Sequence, residues 1–207
     1  MTGPPWQALN TLTSLQYLLL QDNNLTALSK SAFGNLPTIF KLDLSNNQLV
    51  DIAQESFKGL QQLLDLSLRN NKLEKVTNEA FKGLVALRKL DVSHNYLEKI
   101  DNKTHGLLDD CLSLEMVNLS HNRFGFLAKK MFPANPWIPY RLFEIDLSYN
   151  EIPVLTLDFT LGTKKLKKLV LKGNIINDIR NNVLGNLTSL EILDLSDNHL
   201  KDLVSRT

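Results

Sequence analysis

An asparagine recurs at a nearly constant spacing along the 207-residue chain. Of the seven intervals between successive asparagines, five are 24 residues long, and the other two are 27 and 28 residues long. Apolar residues precede each asparagine in the order apolar-x-x-apolar-x-apolar-x-x-Asn. The asparagines are Asn23, Asn47, Asn71, Asn95, Asn122, Asn150, Asn174 and Asn198. A short unit repeated eight times must fold by stacking, because a single unit cannot bury its own apolar side chains.

Each unit predicts one short β-strand. The last two apolar residues before the asparagine flank a single residue, which is the alternation of a strand with one buried face. Stacked units place these strands about 4.8 Å apart in a parallel sheet over a continuous core. An asparagine amide both donates and accepts hydrogen bonds. We therefore expect the eight asparagines to turn the chain out of each strand and to form a buried ladder.

A second apolar ladder is predicted on the side opposite the sheet. Five residues after the fourth apolar position of the units comes Phe33, Phe57, Phe81, Phe132 or Leu184. Leucine often follows three residues later, as Leu36, Leu60, Leu84 and Leu187, and in the unit after Asn150 the two positions hold Thr160 and Thr163. Aromatic rings at these positions should pack between coils as a spine.

The spacing also suggests how the array is divided. Residues 1–14 are interpreted as the tail of a preceding, truncated repeat, and 15–207 as eight repeats, the last one incomplete. Neither end carries a capping segment, which solenoids normally need for solubility. We therefore expect apolar edges that favour self-association. These edges comprise Leu9, Leu12, Leu193, Leu195 and Leu203.

The single cysteine and the overall composition limit the chemistry. Cys111 occupies the position that Leu36 holds in another unit, so we expect a thiol buried in the core. The net charge is +1 and hydrophobic residues make up 43% of the chain, which gives no basis for binding nucleic acid or lipid. No apolar run approaches the roughly 20 residues of a membrane span, and 1–14 lack the pattern of a signal peptide.

The repeat resembles the leucine-rich repeat, and its 24-residue unit with a phenylalanine spine resembles the variety found in extracellular proteins. This resemblance implies an α/β fold: a right-handed, horseshoe-shaped solenoid with a concave parallel sheet of about eight short strands. The convex side would consist of loops and short helical turns.

The segment MFPANPWIPYRLFEIDLSYNEIPVLT and the repeat that follows it resemble arthropod chaoptin-like adhesion proteins. That likeness implies a glycoprotein of the cell surface or extracellular space. Toll-like receptor ectodomains share the repeat, so an innate immune receptor is an alternative. An intracellular scaffold or inhibitor is a third possibility, since the segment shows no signal peptide and has one free cysteine.

No catalytic or cofactor-binding pattern stands out. The residue types of a hydrolase triad occur together at Asp91, Ser93 and His94. These residues are variants of the repeated D-L-S-x-N and alternate along one strand, so their side chains do not converge as a triad requires. His94 and His121 occupy the same position in adjacent units; an exposed turn is the default interpretation and a pH-sensitive pair the alternative. Phosphate-binding loops and paired-cysteine motifs are missing from the sequence. We expect no enzymatic activity, no metal and no cofactor.

The outward positions of the strands are the candidate binding surface. They carry charges of both signs, which suits protein recognition. The candidates are Tyr17, Lys41, Asp65, Arg69, Lys89, Asp91, Glu144, Asp146, Lys168 and Lys172. Lysines at 164, 165, 167, 168 and 172 form the one charge cluster, which is either a solvated face or a dock for an acidic partner or glycosaminoglycan. The expected partner is another protein, either secreted or on a cell surface.

Four N-x-S/T sequons are candidate glycosylation sites: Asn24, Asn102, Asn118 and Asn186. Their number is slightly above chance for this composition, which mildly favours secretion. Asn118 lies in a strand and should project from the concave face. A glycan there would shield that part of the surface and move binding elsewhere, for example to the insertion that contains Trp137.

Overall fold

The structure is a computed structural model that describes residues 9, 11–77, 79–98, 107–127, 131–132, 137–156, 159, 163–179 and 183–201. Its main element is an eight-stranded parallel sheet on the concave side of a right-handed solenoid, as predicted. The strands are β1 (Tyr17–Leu19), β3 (Lys41–Asp43), β5 (Asp65–Ser67), β6 (Lys89–Asp91), β7 (Met116–Asn118), β8 (Glu144–Asp146), β10 (Lys168–Val170) and β12 (Ile192–Asp194).

The sheet strands pair in chain order and with the register that the repeat predicts. Tyr17 lies opposite Lys41, which lies opposite Asp65, and the equivalence continues to Ile192. In the first seven sheet strands the central residue is buried and its two neighbours are more exposed, for example Leu42 at 0%. In the last strand the central residue, Leu193, is half-buried. A slip by one residue would turn these leucines to solvent, so burial fixes the register.

Short elements complete the solenoid. Two small parallel sheets pair β2 (Ala27–Leu28) with β4 (Asp51–Ile52), and β9 (Val154–Leu155) with β11 (Asp178–Ile179). A 3₁₀ helix spans Leu184–Asn186. Turns connect these elements along much of the described chain. The convex side is thus made of loops and short helical turns, as predicted.

The asparagine ladder forms as predicted in the middle of the array. Asn47 donates to the Leu20, Leu44 and Ser45 carbonyls at 2.9–3.1 Å, and its Oδ1 accepts from Leu25 N at 3.0 Å. Asn71, Asn95, Asn122, Asn150 and Asn174 are buried with the same pattern. The prediction is wrong for Asn23, which is exposed and bonds only to its own coil. Asn198 makes the ladder hydrogen bonds but is half-buried.

The aromatic spine needs one correction. Phe33, Phe57 and Phe81 stack with ring centroids 5.9 Å apart, as expected. Farther along, Phe159 packs edge-on against Phe132 at 5.3 Å, and the predicted Thr160 lies outside the described residues.

The next coil shifts the spine in the same way. Val183 is buried there, while the predicted Leu184 is 36% exposed. In these last two coils the spine residue follows Leu155 and Ile179 by four residues instead of five, because the shorter step places an apolar side chain in the core.

The predicted edges are only partly exposed. Leu12 is 45% exposed and Leu193 and Leu195 are half-buried, but Leu9 is 7% exposed and packs in the core. Leu203 lies outside the described residues. The outermost strand positions are more open than the leucines, with Tyr17 at 60% and Ile192 at 52%.

Candidate functional site

A recess of about 270 Å³ lies at the centre of the concave sheet, over strands β5 to β8. Its rim consists of two rows of side chains that the register sets side by side. Lys89, Met116 and Glu144 form one row, and Asp91, Asn118 and Asp146 form the other. Asp65, Leu90 and Val117 complete the lining. Five of the ten predicted binding residues therefore meet here: Asp65, Lys89, Asp91, Glu144 and Asp146.

The charges around the recess are partly compensated from neighbouring strands. Lys168 Nζ lies 2.8 Å from Glu144 Oε1, and Lys41 Nζ lies 3.7 Å from Asp65 Oδ2. The hydrogen bond to Glu144 raises the pKa of Lys168. Asp91 and Asp146 have no ion pair among the described residues, so the row that contains Asn118 is the acidic side of the recess.

The second row is held by a hydrogen bond built into the repeat. Oδ1 of Asp91 and of Asp146 each accepts from the backbone N–H two residues on, at 2.9 Å. Asn118 does the same to Ser120 N at 3.0 Å. Asparagine can therefore replace aspartate in this row without loss of the turn. Each carboxylate commits one oxygen to the turn and keeps a second one for a partner.

The other predicted residues lie away from the recess. Tyr17 is on the first strand of the sheet. Arg69 lies at the edge of the concave face, where Nη1 donates to Ser93 Oγ at 3.1 Å. Lys172 Nζ pairs with Asp197 Oδ2 at 3.4 Å, and this contact raises the pKa of Lys172.

The lysine cluster is largely paired. Besides Lys168 and Lys172, Lys167 Nζ lies 2.7 Å from Glu191 Oε1. Paired lysines present a mixed-charge face instead of a continuous basic one, which favours the interpretation as a solvated face.

The residues that resemble a triad are not arranged as one. Ser93 is fully buried, and its hydroxyl accepts a hydrogen bond from Arg69. The residues at its position in other coils, Ser120 and Ser148, are also buried. These serines help to hold the turn, as their backbone N–H groups donate to the side chain two residues earlier.

Sequence reasoning placed His94 and His121 in one position but missed what they form. Their rings stack at 4.0 Å, and His121 stacks on Tyr149 at 4.5 Å. In the adjacent position Arg123 Cζ lies 4.6 Å from the ring centre of Tyr96. The sequence signal for the histidine stack is that both histidines directly precede a ladder asparagine. The signal for the contact between Tyr96 and Arg123 is that both directly follow one.

Cys111 is a core residue, as expected. It is 0% exposed, and burial, with smaller effects of Asp110 and Asp109, raises its pKa to about 12. The described residues contain no group of three or more His, Cys, Asp or Glu side chains placed to hold a metal ion. No helix in the described part of the chain is both long and apolar enough to cross a membrane.

Three of the candidate glycosylation sites can be placed. Asn24 and Asn186 are exposed, whereas Asn118 is half-buried and lines the recess. Asn102 lies outside the described residues. The sequon at Asn118 arises where the repeat's D-L-S becomes N-L-S, so the turn alone accounts for it.

Comparison with known proteins agrees with this geometry. The model of the family described as leucine rich repeat matches residues 3–49, 41–97 and 140–200. Asporin of Bos taurus is 33% identical over 93 residues, which cover 45% of this chain and 25% of asporin.

Two solved structures show the same fold. The structure of the TLR13–ssRNA13 complex has a TM-score of 0.78 with 30% identity, over 86% of this chain and 24% of the other. The LRIM1/APL1C complex has a TM-score of 0.75 with 28% identity, over 94% of this chain and 33% of the other. This chain spans about a quarter to a third of the length of these three proteins.

Proposed function

This chain belongs to the leucine-rich repeat family, and we propose that it is a non-enzymatic module that recognises another protein through its concave sheet. The recess over β5 to β8 is the observation that carries the proposal. A concave sheet of outward side chains is the extended surface that solenoid proteins use for binding. Of the two complexes compared above, LRIM1/APL1C is an assembly of two proteins, which supports a protein partner.

The chemistry of the recess suits a lysine or arginine side chain of the partner. Met116 offers a flexible apolar surface for the aliphatic stem. The cationic head would lie over Asn118, between Asp91 and Asp146, which are two strands apart and therefore roughly 10 Å from each other. Each carboxylate has an oxygen left for the head, so both attract a guanidinium or ammonium group placed between them.

Neutralising these two carboxylates is expected to weaken partner binding about tenfold, which corresponds to about 1.4 kcal/mol. The double variant Asp91→Asn, Asp146→Asn keeps the turn hydrogen bonds, as Asn118 does. The matched control is Asp43→Asn, Asp194→Asn, with the same turns outside the recess. Tagged protein would be tested against an array of extracellular domains, and the dissociation constant of each hit measured for all three proteins.

All four substitutions create an N-x-S sequon, so the protein for this test should be made in bacteria, where it stays unglycosylated. Equal weakening by both double variants would contradict a role for the recess. TLR13 was solved with single-stranded RNA, so an RNA oligonucleotide belongs in the array. Tight binding of RNA with no protein hit would replace the proposal with nucleic-acid recognition.

We place the module outside the cell, in adhesion, following the likeness to chaoptin-like proteins. The likeness to TLR13 favours an immune receptor as the second candidate, and the free Cys111 keeps an intracellular scaffold as the third. Mass spectrometry of protein from its native source should find glycans at the exposed Asn24 or Asn186. Protein that is unmodified at both positions would favour the intracellular alternative.

A further inference from the structure

A column of side chains with left-handed backbone runs along the edge of the sheet. The residue before each ladder asparagine has a φ between 52° and 58°, or 67° where it is glycine. The column comprises Asp22, Asn46, Asn70, His94, His121, Tyr149, Gly173 and Asp197. Glycine, asparagine, aspartate and histidine are the residues that tolerate this conformation best, whereas a bulky residue such as tyrosine is an outlier there.

Three successive coils replace these residues with rings. His94 stacks on His121 with an angle of 13° between the ring planes, and His121 stacks on Tyr149 with an angle of 19°. Tyr149 then covers Gly173, where a Cβ would lie 2.5 Å from Tyr149 Cδ1. The φ of Tyr149 is 54°, which is strained for a tyrosine, and 43% of its surface is exposed. Strain of this kind is retained mostly at functional positions.

Cationic residues border the stack on both sides. In the column after the ladder asparagines, one position in four successive coils holds Lys72, Tyr96, Arg123 and Glu151. Arg123 lies over the Tyr96 ring, and among the described residues it forms no ion pair with Glu151. Arg69 borders His94 from the preceding coil. Neither Arg69 nor Arg123 forms an ion pair with any residue that the structure describes. Exposed tyrosines beside arginine are the composition enriched at the centres of protein interfaces.

We propose that this lateral surface, made of His94, His121, Tyr149, Tyr96 and Arg123, binds a carboxylate-bearing segment of a partner protein and binds it more tightly in mildly acidic solution. The surface is distinct from the concave recess and has the opposite charge preference. The unpaired cations select carboxylates, and the exposed rings offer a flat surface for an aromatic or aliphatic neighbour in the same segment.

The acid dependence follows from the groups that face the stack. Burial lowers the pKa of His94 first, and His121 and Arg69 lower it further, while Asp91 opposes them. Tyr149 faces His121 from the other side, and Lys172 faces Tyr149. In the free surface the lowered pKa of His94 therefore disfavours its protonation. A bound carboxylate favours the protonated imidazole, so binding takes up protons and strengthens as the pH falls.

The probe for the test is a fluorescent random copolymer of glutamate and tyrosine. Its carboxylates stay largely ionised at pH 5.5 because an unperturbed glutamate has a pKa of about 4.3. We expect fluorescence anisotropy at constant ionic strength to give a dissociation constant about fivefold lower at pH 5.5 than at pH 7.4. Failure of the copolymer to bind at either pH would overturn the proposal.

The double variant His94→Asn, His121→Asn restores the residue that Asn46 and Asn70 carry at the same left-handed position, so it is expected to fold. It should lose the pH dependence, whereas Asp43→Asn, Asp194→Asn should keep it. Arg123→Gln should weaken binding at both pH values and keep the dependence. An unchanged pH effect in the histidine variant, or tighter binding of single-stranded RNA than of the copolymer, would overturn the proposal.

Discussion

Replacing Asn95 by alanine is expected to lower the free energy of unfolding by about 4 kcal/mol, more than most single substitutions cost. Asn95 is 4% exposed. Its Nδ2 donates to the carbonyls of Leu68, Val92 and Ser93 at 3.0–3.1 Å, and its Oδ1 accepts from Leu73 N at 3.0 Å. One side chain thus satisfies backbone groups of its own coil and of the preceding coil.

The size of the loss comes from what alanine leaves behind. A buried backbone group that loses its partner costs about 1–3 kcal/mol. The Leu73 amide is left without the acceptor that held it. The three carbonyls each lose one of two donors, because Asn71 Nδ2, Asn122 Nδ2 and the Asn70 N–H still donate to them. Water cannot easily replace the amide, because leucines of the core surround it on the inner side of the turn.

Urea unfolding followed by circular dichroism measures the change, with Asn23→Ala as the matched control. Asn23 is exposed and bonds only to Leu20 and Gln21 of its own coil, so its replacement should cost less than about 1 kcal/mol. If the two substitutions cost the same, the ladder would not be what holds adjacent coils together.

Much of the fold could be predicted because the repeat overdetermines it. Eight copies of one pattern set the strands, the side that is buried and the register, and any misplaced unit would bury charge or expose leucine. The ladder bonds are missing at Asn23, and Asn198 makes them but is only half-buried. At both ends burial depends on a neighbouring coil as well as on the residue. The motif predicts the structure of one repeat, whereas the burial of a residue also depends on the coils stacked on either side of it.

The errors in the spine have a different cause. Sequence spacing counts residues, but the core selects whichever apolar side chain can reach it. At Phe159 and Val183 the chain reaches the core one residue sooner than the spacing predicts. Leu184, which the spacing favoured, is left partly exposed. Fixed offsets are therefore less reliable in the variable loops than in the strands.

The candidate sites show the same division. The pattern predicts which side chains point out of the sheet, and these include Asp91, Glu144 and Asp146, which line the recess. The ring stack needed backbone geometry as well, since only the left-handed turn makes His94, His121 and Tyr149 project together. The recess and the ring stack are each formed by side chains from several coils, so the sequence of a single repeat cannot predict them.

The second large effect is expected at Phe57, where alanine should cost about 4 kcal/mol. The ring is fully buried and lies 5.9 Å from both Phe33 and Phe81. Its removal leaves a cavity between two rings that the backbone holds in place, so the site can collapse only partly. Phe57→Leu keeps most of the volume and should cost about 1.5 kcal/mol or less. Phe126→Ala, at a ring that is 58% exposed, should change stability by less than about 0.5 kcal/mol.

Phe57→Ala should also change how the array unfolds. Each coil contacts chiefly its neighbours, so cooperativity depends on the interfaces between them. A cavity in the spine beside Phe33 weakens the link between the first coils and the rest. Native-state hydrogen exchange should then show the backbone amides of Leu18 in β1 and Leu42 in β3 exchanging faster than that of Ile145 in β8. Uniform acceleration across all strands would mean that the eight coils unfold as one unit in spite of the cavity, and that the spine contributes stability without setting the cooperativity.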